Sequence, residues 1–235
     1  MSRKIRFLTI IIFLVLSPAY AFPQAAKKEK GVYEFSYFDK LFLIRLPDGE
    51  RSVTIEGNKE KGLPATVIDG KKVYKAMRIE ALEKARKIKG DEEILIEDGE
   101  NDRVLKASHF EYDDNTGHLI LTGGPIFIAK DKDGEKITIW AERIEAFLKE
   151  KRVNFFRDVR IEYKDVRASA GEVSYYDEDQ KLVLSIDPKI VERFDEEDSN
   201  LIEGKKITVF LGKEMKISVE GEGRARVFYR RGTSE

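Results

Sequence analysis

Arg78–Glu97 reads RIEALEKARKIKGDEEILIE, and Arg143–Glu162 reads RIEAFLKEKRVNFFRDVRIE. The two stretches align without a gap, with seven of twenty positions identical and several more apolar in both. Looser copies begin near Phe110 (FEYDDNTGHLILTGGPIFI), Val173 (VSYYDEDQKLVLSIDPKIV) and Ile207 (ITVFLGKEMKISVEGEGRARV). Starts at 79, 110, 144, 173 and 207 lie 31, 34, 29 and 34 residues apart. A unit this short cannot bury its own apolar face, so successive copies must stack into one continuous apolar surface.

Alternation gives the type of element. Ile207/Val209/Leu211, Ile217/Val219 and Val159/Ile161/Tyr163 keep a period of two, with mostly polar or charged residues between them. That pattern describes strands with one dry and one wet face. Turn chemistry stands at the joins: Asp113-Asp114-Asn115-Thr116-Gly117, Asp131-Lys132-Asp133-Gly134, Asp177-Glu178-Asp179-Gln180 and Gly212-Lys213. Each repeat therefore reads as a β-hairpin, and five or six hairpins as a long meander. Lys75–Lys89 is rich in Ala, Leu, Glu and Lys and alone would suggest a helix, but the repeat it opens favours strand. Residues 32–73 match the repeat poorly. They hold two apolar runs, Val32–Phe38 and Leu41–Leu46, and a loop at 57–64, read as opening strands of the same sheet system.

The N-terminus carries Arg3, Lys4 and Arg6 before an apolar run, Phe7–Leu16, that ends in Ser17-Pro18-Ala19-Tyr20-Ala21. This is the layout of a cleavable export signal over 1–21. A polar tether (22–31), one β domain (32–231) and a short disordered tail (232–235) follow. Loss of the signal removes three basic residues, leaving 40 Lys and Arg against 44 Asp and Glu, a net charge of −4. With both signs interspersed and no basic excess, nucleic acid is not an expected partner. The absence of cysteine excludes disulfides, thiolate nucleophiles and thiolate metal sites. An exported chain without a later apolar span is expected in the periplasm.

Catalytic signatures are missing. There is no phosphate loop, nucleophile elbow or H-E-x-x-H, and no carboxylate pair stands out. His109 and His118 flank a turn and read as surface strand residues; Asp131–Glu135 reads as a hairpin turn and Asp195–Asp198 as a solvated run. No enzyme activity, cofactor or metal is expected.

Repeat positions collect the apolar residues. Ile79, Phe110, Ile144, Val173 and Ile207 are equivalent, with Ala81, Tyr112, Ala146, Tyr175 and Val209 beside them. Return strands align Ile96, Phe127, Ile161 and Ile190, preceded by Ile94, Pro125, Val159 and Pro188. Alternation places all of these on one face. Periodicity alone describes the core of a closed sandwich. The first strand (Val32–Phe38) and the last (Arg224–Tyr229) are candidate free edges, through Val32, Tyr33, Phe35, Tyr37, Ala225, Val227 and Tyr229.

Two strings carry a resemblance: AERIEAFLKEKRVNFFRDVRIEYKDVRASAGEVSYYDEDQKLVLS and GKKITVFLGKEMKISVEGEGRARV. Their phrase of a small residue, x-x-I-x-A/Y, a charged turn, an apolar pair and then G/D-x-x-I resembles the OstA-like family, over roughly Val73–Arg230. That family includes the periplasmic lipopolysaccharide-transport bridge (LptA), its inner-membrane partner (LptC) and the N-terminal domain of the outer-membrane translocon (LptD). The resemblance implies an open, twisted antiparallel β-jellyroll with an apolar inner groove for lipid A acyl chains. It implies lipopolysaccharide, LptC-type and LptD-type proteins as partners, and head-to-tail self-assembly through the terminal edges. A cleavable signal favours the LptA branch; the alternatives are an anchored LptC-like component and a structural or carbohydrate-binding β module. On this reading the lipid-binding inner face comprises Ile79, Ala81, Ile94, Ile96, Phe110, Tyr112, Phe127, Ile144, Ala146, Val159, Ile161, Val173, Tyr175, Ile190, Ile207 and Val209.

Overall fold

Two strand layers run the length of the molecule and are joined along one side by strands that belong to both. The computed structural model describes residues 34–227, apart from 70, 83, 100, 101, 132, 133, 194–198 and 212–214. The expected signal, tether and tail, with Val32, Tyr33, Tyr229 and the run Asp195–Asp198, lie outside the described residues.

The strands fall into three sets of similar layout. The first holds β1 (Glu34–Tyr37), β2 (Lys40–Arg45), β3 (Arg51–Glu56), β4 (Ala65–Asp69), β5 (Lys72–Ala76), β6 (Arg78–Leu82) and β7 (Lys87–Asp98). The second holds β8 (Arg103–Asp113), β9 (His118–Thr122), β10 (Ile126–Lys130), β11 (Lys136–Trp140), β12 (Arg143–Phe147) and β13 (Arg152–Tyr163). The third holds β14 (Val166–Tyr176), β15 (Lys181–Ser185), β16 (Lys189–Arg193), β17 (Ser199–Glu203), β18 (Lys206–Phe210), β19 (Lys216–Glu220) and β20 (Arg224–Val227). All pairings are antiparallel. The segment 75–89 is strand, turn and strand, as the repeat requires, and not helix.

The expected meander is corrected by the topology. Neighbours in space are often not neighbours in sequence: β3 pairs β6, β9 pairs β12 and β15 pairs β18 in one wall. In the other wall β5 pairs β7, β8 pairs β10, β11 pairs β13 and β14 pairs β16. The long strands β7, β8, β13 and β14 pass from wall to wall. The 30-residue unit seen in sequence is thus half of a six-strand unit, as β6 to β12 and β12 to β18 show. Residues 34–76 are no exception to the repeat. β1 and β2 take the places of the two halves of a long strand broken at Phe38-Asp39, since β1 pairs β4 and β2 pairs β3 as β8 pairs β10 and β9. β19 and β20 form the same broken strand at the other end.

Corners require unusual backbone. The register of β7 shifts between Asp91 and Ile94, and that of β13 between Phe156 and Val159. Glu92 and Glu93 (φ 61° and 54°) and Arg157 and Asp158 (φ 61° and 44°) are left-handed there. Extra residues in left-handed conformation bend a strand sharply, which redirects it into the second wall. Close packing beside the first corner depends on Gly90: a Cβ there would stand 2.0 Å from a ring carbon of Phe110.

Candidate functional site

Following the register across the first wall gives one unbroken row: Leu41, Ile55, Ile79, Gly90, Phe110, Leu121, Ile144, Phe155, Val173, Leu184, Ile207, Val219. A second row two residues away passes through Ala81, Tyr112, Ala146, Tyr175 and Val209 and ends at Ile217. The opposite wall carries its own row, from Val67 through Ile96, Phe127, Ile161 and Ile190 to Ile202 and Ala225. Alternation turns these rows to the space between the walls.

All sixteen residues expected on the inner face lie in one buried apolar cluster. Their arrangement differs from the single face drawn from sequence. The start-strand set lines one wall and the return-strand set lines the other, so the two sets face each other. Phe127 and Phe155 meet across the gap, ring centroids 5.9 Å apart. The walls touch along the middle, where Ile144, Leu121 and Phe155 have no exposed surface. At the ends they do not: Leu41 and Leu43 on β2 are 46% and 69% exposed, and Val219 on β19 is 38% exposed.

Edges follow from the same map. β1 and β20, the expected edge strands, bound the second wall, with Phe35 and Tyr37 in β1 and Ala225 and Val227 in β20. The first wall ends in β2 and β19, which sequence reasoning did not select. β2 (KLFLIR) is exposed along its whole length, with Phe42 and Ile44 on the face opposite Leu41 and Leu43. Four consecutive apolar residues in a strand were the available signal for an element with neither face covered.

Polar groups gather at the open rim, opposite the corners. Tyr112 donates to Asp114 at 3.3 Å and Tyr175 to Asp177 at 3.1 Å, and burial, with the adjacent carboxylate, pushes both phenols far above the ordinary tyrosine range. Both stay neutral donors. Burial works to raise Asp113, but backbone N–H donors from Thr116 and Asn115, with Lys87, outweigh it and hold the carboxyl below the usual range. Of the histidines, His118 contacts Glu145 at 3.0 Å toward the rim, while His109 contacts Asp91 at 2.8 Å beside the first corner. Among the described residues no group of three or more His, Asp or Glu is placed to hold a metal. No helix of the described residues is long and apolar enough to cross a membrane.

Residues 104–215 match the family model described as "LptA/(LptD N-terminal domain) LPS transport protein". Residues 104–215 therefore carry the domain of the OstA-like lipopolysaccharide-transport family. That family is one of transport proteins and not of enzymes. The OstA-like match covers β8 to β18, while strand pairing extends the same two walls through β1–β7 on one side and β19–β20 on the other. Among solved structures, one likeness is to LptH from Pseudomonas aeruginosa, described as the LptA-homologous periplasmic component of the conserved lipopolysaccharide transport device. It shares 14% identity at a TM-score of 0.41, covering 45% of this chain and 75% of that one. A search of curated proteins found no match.

Proposed function

We propose that this protein carries lipopolysaccharide through the periplasm, shielding lipid A acyl chains between its two walls and passing them from the inner toward the outer membrane. One observation supports this most: the OstA-like match falls on strands whose inward rows run without interruption from one free edge to the other. A core that served only stability would close at its ends. Here apolar residues of both end strands, Leu41 and Leu43 at one and Val219 at the other, reach solvent.

Energetics suit a carrier with incomplete enclosure. Complete burial of one chain of about a dozen methylenes would contribute about 10 kcal/mol, at ~0.8 kcal/mol each. Several chains held that way would not leave, so handover requires partial enclosure and open ends. A second copy placed head to tail, its β19 and β20 beside β1 and β2, would extend both walls and every row. LptC-type and LptD-type proteins are the matching partners at the two membranes. The closed middle also suits a structural module without a ligand, and transfer separates the two readings. Protein loaded with lipopolysaccharide, mixed with empty immobilised protein, is expected to give up its lipid; retention by the donor, or no loading at all, would contradict the carrier.

A further inference from the structure

The walls touch along the middle of the trough, so an acyl chain needs a place where they part, and the open rim offers one. Arg103 begins β8 in the second wall. It lies two residues before inward-facing Leu105 and shares its direction. Asp177 follows Tyr175 in the first wall with the same parity. Across the rim Arg103 Nη2 donates to Asp177 Oδ1 at 2.8 Å, with 16% and 20% of the two side chains exposed. Tyr175 donates to the same oxygen, and Gln180 donates to the Tyr175 hydroxyl at 2.9 Å.

The repeat itself does not call for this bridge. One unit earlier the equivalent carboxylate, Asp114, is paired by Arg86 from its own wall, and the position equivalent to Arg103 one unit later is Val166. Lys151, the counterpart of Arg86, pairs with Glu178 and leaves Asp177 to the opposite wall. A pairing confined to one wall has become one that ties the walls together.

Beneath the bridge lies a narrow apolar cleft, with Leu105 and Phe127 on one side and Leu119, Ile144 and Val153 on the other. Arg103, Phe127 and Tyr175 also line the adjoining cavity, so the bridge stands between two spaces. Lys151 and Arg152 border the cleft. An apolar floor beneath a cationic mouth fits a hydrocarbon chain with an anionic head. Arginine recognises phosphate and carboxylate through the same paired N–H groups, so an incoming head can replace an aspartate on it.

We propose that the Arg103–Asp177 bridge is the latch of a side portal: an acyl chain enters through the rim between β8 and β14, and the anionic group at its head takes the place of Asp177 on Arg103. This rests on the carrier reading above, and the test separates them. The chain has no cysteine, so Arg103→Cys/Asp177→Cys can be joined by a reducible bis-methanethiosulfonate linker without background. Stopped-flow loading with fluorescent lipopolysaccharide is expected to be at least tenfold slower for the linked protein than for the same sample after reduction. Equal rates would overturn the portal and leave chains entering at the trough ends, with the carrier intact; a parent protein that binds no lipopolysaccharide would overturn both. Asp177→Asn is expected to load several-fold faster than the parent, while Arg103→Gln, equally unlatched but without the cation, loads no faster. Equal acceleration by the two variants, at matched thermal stability, would overturn the role of Arg103 in receiving the head.

Discussion

Gly90 and Phe110 show how the two halves of the clearest repeat differ while filling the same space. In the six-strand unit Gly90 corresponds to Phe155 and Phe110 to Val173, and the register pairs Gly90 with Phe110 and Phe155 with Val173. Large and small have changed places across one strand pair. Gly90→Ala puts a methyl 2.0 Å from the Phe110 ring, and overpacking of this kind typically costs about 1–3 kcal/mol. Phe110→Val alone leaves a cavity. The double variant is expected to lose less stability than the two losses added together, measured by urea unfolding in a double-mutant cycle. Ile186 marks the opposite case. It is β-branched, 56% exposed and left-handed at φ 61°, where the equivalent turn one unit earlier uses Gly123. Left-handed backbone costs a non-glycine residue about 1–2 kcal/mol, more than the order of 0.5–1 kcal/mol that glycine loses in chain entropy. Ile186→Gly should therefore raise the Tm; a fall would mean that the contact of Ile186 over Gly171 outweighs the strain.

At the scale of elements, strand identity was legible because alternation and turn residues agreed, and because the gapless repeat overrode the helical composition of 75–89. Edge identity was less so. Val32–Phe38 and Arg224–Tyr229 stand first and last in sequence, but β2 is an edge because β3 turns to pair with β6, a choice that no local pattern encodes. Leu43→Lys or Ile44→Lys should reduce concentration-dependent assembly, seen by analytical ultracentrifugation, with little change in stability, since both residues are already exposed in the monomer. Unchanged assembly would remove β2 from the proposed contact. The turn after β8 carries a pH signature. Asp113 accepts from the N–H groups of Asn115 and Thr116, and its folded pKa is depressed. A depressed carboxylate contributes stability that is full above its unfolded pKa and is lost as pH falls through the folded value. Asp113→Ala should thus lower the Tm at neutral pH, with the gap to the parent closing in acid. A gap constant with pH would show that the carboxylate charge is not what matters.

For the whole molecule, sequence gave the apolar positions but not their division between two walls. A period of two says that Phe155 and Ile161 share a parity along β13, and nothing in it reports that the strand bends at Arg157-Asp158 between them. The corner turns one face into two that oppose each other, and that opposition makes a trough from what would otherwise be a flat surface. The latch at the rim was equally invisible, because Arg103 and Asp177 lie 74 positions apart and meet only when the walls fold together. The central claim is that lipid occupies the space between the walls. It is tested most directly with p-azidophenylalanine, which replaces aromatic side chains with little change in size, at Phe110 and Phe127 on the two inner faces and at Tyr176 and Trp140 on the outer faces. After illumination with lipopolysaccharide, adducts are predicted at Phe110 and Phe127 alone. Adducts confined to Tyr176 and Trp140, or absent from all four positions in folded protein, would contradict an inner lipid trough and leave a closed β core.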